Sequence, residues 1–201
     1  MIRIDGRQIS GLTPTLLLLL SKVRAAAESN SSRRGLYIPA GALWGARDIQ
    51  KMADRGSLHG LNITMAKAPH HLKLQGSIAG KMEARLASGL KGEYVLYEGP
   101  VRDLCSLAPN NVNTMAAGAL AAHNLGFDGT VARLVMDTEL EAHVVTVEVV
   151  GPAKAGAPPF KLTTTRFNPA EAGAVTGDAT YASFLSSALE AGGRGNGVHF
   201  C

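Results

Sequence analysis

The sequence predicts an α/β fold built on a mixed sheet, and two patterns carry that prediction. In the last third, three apolar segments, 131–136, 144–150 and 160–166, alternate with the period of two that strands show. Earlier, Gly35-Leu36-Tyr37-Ile38-Pro39 runs into the small-residue turn Ala40-Gly41-Ala42-Leu43-Trp44-Gly45 and then into a helical stretch, 46–55. Strand, tight turn, helix is half of a βαβ unit. The chain has 201 residues, 46% hydrophobic and 18% charged, which is ordinary globular usage and enough for one core or for one domain with part of a second. With aromatics at only 5%, the core is expected to be Val, Leu, Ala and Ile.

In order along the chain, residues 13–28 read as a helix, with Thr13 as N-cap and Pro14 in the first turn. The polar run 29–34 follows, then the strand–turn–helix unit, then a strand over 58–65. Residues 67–90 are polar, with scattered His, Lys and Gly, and read as surface loop with a helix near 81–90. A strand is expected over 94–98, a short helix over 100–108 and a small-residue helix over 113–124, opened by Asn113 as its cap. The alternating strands come next, then a closing helix over 180–191 after Asn168-Pro169, and a glycine-rich tail expected to be loose.

Several function classes are disfavoured. The net charge of +4 has no basic block interleaved with aromatics, so no nucleic-acid partner is expected, while an anionic small molecule fits the charge as well. The Leu16 to Leu20 run is too short to span a bilayer and is cut off by Lys22 and Arg24, so no membrane partner is expected. Two cysteines, Cys105 and Cys201, suggest neither a disulfide framework nor a metal site, and a reducing, cytoplasmic setting is the default.

His143 shares a strand face with Val145, Val147 and Val149, which places an imidazole at the rim of an apolar surface. Such a histidine either satisfies itself on a backbone group or serves as a base near neutrality. Asp137 can orient that imidazole or end its strand, and both remain open. Lys67, Arg133 and Arg166 are candidate cations for an acidic substrate, with solvated surface charge the competing reading.

The ordered signposts Pro39-Ala40-Gly41-Ala42, Tyr97-Glu98-Gly99-Pro100, Pro109-Asn110-Asn111-Val112-Asn113 with Ala116-Ala117, Leu125-Gly126-Phe127-Asp128, Val135-Met136-Asp137, His143 and Asn168-Pro169 span residues 35–190. In that order the chain resembles the L-aspartate dehydrogenase family. Gly41-Ala42-Leu43-Trp44-Gly45 and the ending Gly197-Val198-His199-Phe200-Cys201 look more like the animal aspartate dehydrogenase domain-containing proteins than the prokaryotic enzymes.

The resemblance implies His143 as the catalytic residue, Ala42 and Asn113 as contacts of an NAD or NADP cofactor, no metal, and L-aspartate as the small-molecule substrate. The implied reaction is oxidation of its CH–NH2 group to iminoaspartate and onward to oxaloacetate, with a role in NAD biosynthesis. It implies a remnant of a Rossmann-type dinucleotide-binding domain over 1–66, a mixed-sheet catalytic and dimerisation domain over 67–191, and a flexible tail over 192–201. Val-rich strands without sheet closure suggest a homodimer. The chain departs from the family in lacking Gly-x-Gly-x-x-Gly, the turn that cradles a dinucleotide pyrophosphate. That departure supports the alternative of a non-catalytic isoform or fragment that keeps only the dimerisation sheet.

Overall fold

The computed structural model describes residues 3–4, 7–8, 35–169 and 179–201. The helix expected over 13–28 lies outside them. Two short strands, β1 (Arg3–Ile4) and β2 (Arg7–Gln8), pair antiparallel. The strand–turn–helix unit is present as β3 (Gly35–Ile38) and α1 (Ala46–Asp54). Then come β4 (Gly60–Lys67), a 3-10 turn (Pro69–His71), α2 (Gly76–Ala87), β5 (Glu93–Pro100), α3 (Val101–Leu107), α4 (Asn113–Ala121) and α5 (Gly126–Gly129). The chain continues through β6 (Val131–Asp137), β7 (Ala142–Val150), β8 (Lys161–Pro169), α6 (Ala179–Ala191) and β9 (Gly197–Phe200).

Five strands form a mixed sheet in the order β5-β6-β4-β7-β8. The β4–β6 pair is parallel and the other pairs are antiparallel. Leu61, Ile63 and Met65 on β4, Ala132 and Leu134 on β6, and Val145, Val147 and Val149 on β7 face one side, and all are buried. Helix α4 packs against that side. Its small residues Ala116, Ala117, Ala119 and Ala121 are buried, and at Gly118 a Cβ would come within 2.2 Å of Ile63 Cδ1. The helix therefore lies close on the sheet because the position under the central strand has no side chain. The sheet's other face carries the exposed residues Asn62, Glu148, Thr163, Thr165 and Phe167.

Three features of the structure bear on these expectations. In the tail, β9 pairs in parallel with β3, Leu36 opposite Val198 and Ile38 opposite Phe200. The Cys201 and Ile38 backbones bond at 2.9 Å, and Ala40 N–H donates to the Cys201 carbonyl at 3.0 Å. Glycine-rich composition concealed a strand whose apolar Val198 and Phe200 pack on the core. Second, the boundary expected after residue 66 falls at the last residue of β4, the central strand, so β4 belongs with the large sheet. Third, Lys67 does not open a surface loop. It completes β4 and is 4% exposed.

Candidate active site

One end of the covered sheet face collects polar groups. Tyr94 pairs with Met136, Met136 with Lys67, and His143 with Asn168. Ala66 pairs with Val144 in the antiparallel β4–β7 ladder, so the next step of that register sets Lys67 opposite His143. Tyr94, Met136, Lys67, His143 and Asn168 thus form a single cross-strand row. His143 is buried at 5% exposure, on the same face as Val145, Val147 and Val149 as the alternation requires. Burial takes the Lys67 ammonium out of water and lowers its pKa to about 8.

The 3-10 turn roofs this row. The His71 ring meets the His143 ring edge-on at 4.7 Å between centroids, and His70 lies 4.1 Å from His71. Asn111, 1% exposed, fixes the roof: its Nδ2 donates to the His71 carbonyl at 3.2 Å and its Oδ1 accepts the Lys73 N–H at 3.0 Å. Asn111 stands just before α4 and so ties the start of that helix to the histidine roof.

Further along the same face is the turn after β3. Gly41 takes φ +60 with nothing near the position of a Cβ, a conformation that favours glycine. Its carbonyl accepts Arg166 Nη1 at 3.2 Å and Ser183 Oγ at 3.5 Å, which hold the turn over β8. Ala42 and Trp44 line a cleft of about 550 Å³ whose other walls are Val145, Val147, Thr164, Thr165, Arg166 and Phe167. That size suits a cofactor fragment or a small substrate.

Each expected site residue can now be placed. His143 and Ala42 lie on one face of the sheet, the first in the buried row and the second at the cleft. Asn113 is exposed and is the first residue of α4 rather than its cap: Val112 takes the N-cap position, and no side chain caps that end. Asp137 does not orient His143. It ends β6 on the opposite face, and its Oδ1 accepts the Glu139 N–H at 2.9 Å. Of the candidate cations, Lys67 and Arg166 share the face of His143, whereas Arg133 points to the other side and pairs with Glu98 at 3.3 Å. His71 and Asn111 were missed as functional residues. His71 is brought to the site only by the turn after β4, and Asn111 stood in the quoted motif without a role of its own.

Among the described residues no cluster of three or more His, Cys, Asp or Glu could hold a metal ion, and no helix is long and apolar enough to cross a membrane.

The aspartate dehydrogenase C-terminal family model matches residues 48–187. This chain belongs to the aspartate dehydrogenase family. It is 48% identical over 193 residues to an aspartate dehydrogenase domain-containing protein of Xenopus tropicalis, covering 94% of this chain and 66% of that protein. An aspartate dehydrogenase domain-containing protein of Danio rerio is 48% identical over 180 residues, covering 89% and 61%. An L-aspartate dehydrogenase of Methanopyrus kandleri is 30% identical over 131 residues, covering 65% and 42%. The crystal structure of aspartate dehydrogenase from Thermotoga maritima aligns with a TM-score of 0.56 at 20% identity, covering 88% of this chain and 62% of that one. The animal relatives are longer, and this family member spans about two thirds or less of each.

The family implies a nicotinamide dinucleotide, and the residues present fit one part of it. The Gly41-Ala42 turn offers backbone and a methyl group beside a cleft, and the exposed Asn113 offers a carboxamide donor and acceptor at the start of α4. A turn backbone and a carboxamide are groups of the kind that can bind a ring amide or a sugar hydroxyl. For the pyrophosphate, the sequence carries no Gly-x-Gly-x-x-Gly turn.

Proposed function

We propose that this chain provides the substrate side of an NAD(P)-dependent dehydrogenase acting on the CH–NH2 group of L-aspartate, with His143 as its base. The observation that supports this most is a buried imidazole set in one row with a buried ammonium, on the face that the Gly41-Ala42 turn overhangs. Ala42 and Asn113 serve the dinucleotide, NAD or NADP, which when bound supplies the hydride acceptor.

The work of the chain's own residues follows from chemistry. The substrate amine must lose a proton before hydride can leave the α-carbon, and His143 accepts that proton. The resulting imine, iminoaspartate, is hydrolysed to oxaloacetate by a water that again needs a base, and the same imidazole can serve. Apolar walls at Val145 and Val147 limit water beside the reacting carbon, which strengthens charge interactions there. The Asn111 clamp holds His71 against His143 and so limits the imidazole's freedom to swing.

A homodimer belongs to this reading. The sheet face opposite the helices exposes Phe167 and Val95, which a second copy would cover.

The test is calorimetry of the 201-residue chain with NAD and with NADP, followed by aspartate oxidation. Micromolar binding that Asn113→Ala weakens about tenfold, with His143→Ala still binding but losing about 100-fold or more in kcat, is the expected result. A folded chain that binds neither dinucleotide and forms no product overturns it. The second reading, a non-catalytic isoform or fragment, would then stand.

A further inference from the structure

The turn Gly41-Ala42-Leu43-Trp44-Gly45 carries a side chain with no part in the site so far. Trp44, the chain's single tryptophan, is 72% exposed, whereas its neighbour Leu43 is 2% exposed and sits in the core. The turn that carries it is held at both ends. Gly41 and Gly45 take φ +60 and +82, the left-handed region that favours glycine. Leu43 N–H donates to the Ala40 carbonyl at 2.9 Å, and the Gly45 carbonyl accepts the Asp48 and Ile49 N–H groups at 3.0 Å. With Leu43 as its buried anchor, this backbone presents the next residue outward. Trp44 lines the cleft of about 550 Å³ beside Ala42, and also a second cleft of about 700 Å³ whose walls include Arg47, Ser183 and Ser186. An indole gains much from packing, so a fixed turn that leaves one between two clefts offers its ring to a ligand.

We propose that Trp44 is a stacking platform for the nicotinamide ring and favours the oxidised, cationic ring over the reduced, neutral one. The proposal rests on the reading above that a dinucleotide binds beside Ala42, and it names a residue of that site that senses ring charge. The face of an indole is electron-rich and attracts a cation placed over it more strongly than a phenyl or phenol ring does. Oxidised nicotinamide is a pyridinium with one positive charge, and the reduced ring has none.

The charged neighbours do not supply this attraction. Arg166, in the wall of the first cleft, repels a cationic ring. In the second cleft Arg47 pairs with Glu190, and Asp48 is an exposed residue in the first turn of α1. Trp44 therefore sets the balance between the two ring forms, and the reduced ring is held less tightly than it would be if stacking alone decided.

The experiment measures binding of NAD and NADH, with NADP and NADPH alongside, to the 201-residue chain by calorimetry. Within each pair every group but the ring is shared, so the affinity ratio isolates the ring. Trp44→Leu, which keeps an apolar side chain without a ring face, should lower the oxidised-to-reduced affinity ratio about fivefold, mainly by weakening the oxidised form. Trp44→Phe should retain part of the preference, and Asn113→Ala should weaken both forms alike and keep the ratio. Trp44 is exposed, so neither of its substitutions removes core packing. A second measurement needs no variant: an indole stacked on a pyridinium gives a charge-transfer absorption on the long-wavelength side of the indole band, expected with NAD and absent with NADH. A chain that binds dinucleotide but keeps its ratio in Trp44→Leu, or shows no such absorption, overturns this proposal and leaves the dehydrogenase reading standing. A folded chain that binds neither form overturns both.

Discussion

At Lys67 the folded protein binds its proton less tightly than the unfolded chain does, since burial lowers the pKa from 10.5 to about 8. Between those two values the unfolded chain holds more protons, so stability rises with pH across that window. Below it the ammonium is charged in both states and the full penalty applies. The size of the shift sets that penalty on the order of 3 kcal/mol. Urea denaturation from about pH 7 to 10.5 should show this rise in the unaltered chain and a flatter profile in Lys67→Met, which should also be the more stable protein at pH 7 by about 2 kcal/mol. The sequence showed the charge at position 67 but not its burial. A lysine that follows an apolar run reads as the first loop residue, and only the pairing of β4 with β6 and β7 puts it inside. His143 was legible because period-two alternation assigns it a face without any knowledge of the partner strands.

Among the elements, α4 is where sequence and packing constrain each other most. Its helical pattern has no polar face to read, since alanines and a glycine fill it, and it works as a thin spacer between the sheet and α1. Gly118→Ala would press a methyl group onto Ile63, which is fully buried and stiff at its branched Cβ, at a cost of about 1 to 3 kcal/mol. Combining it with Ile63→Val removes the methyl in the way. The double variant should therefore lose less stability in thermal melts than the two single losses added together. Asn111→Ala frees the roof turn and should cost about 1 to 3 kcal/mol, because the buried His71 carbonyl and Lys73 N–H each lose a partner. Its kcat should fall while dinucleotide affinity stays unchanged, as a positioning residue requires. Strand and helix positions were legible from periodicity, with ends displaced by a few residues. The roof was not, because a three-residue turn has no period to detect.

Across the whole molecule, the small β3–β9 sheet closes the chain on itself. The Gly41-Ala42 turn sits at the end of β3, and Ala40 donates to the Cys201 carbonyl, so the turn that overhangs the cleft depends on the last residues of the sequence. Removing residues 197–201 should leave the five-stranded sheet folded but release the turn, seen as a change in emission from Trp44, the one tryptophan of the chain, and as lost dinucleotide binding. Family membership was legible in the ordered motifs, whereas this closure was not, because parallel pairing across about 160 positions leaves no local trace and the glycines of the tail argue against a strand.

The same closure bears on how the protein is made. A ribosome releases the chain from its N-terminal end, and β3 emerges long before its partner. The large sheet can assemble as soon as β8 is out, but the wall of the cleft waits for the final strand. During synthesis, then, there is an interval in which His143 and its row of neighbours exist beneath an unfinished cover. A nascent chain stalled short of residue 197 would be folded in its core and open at its site.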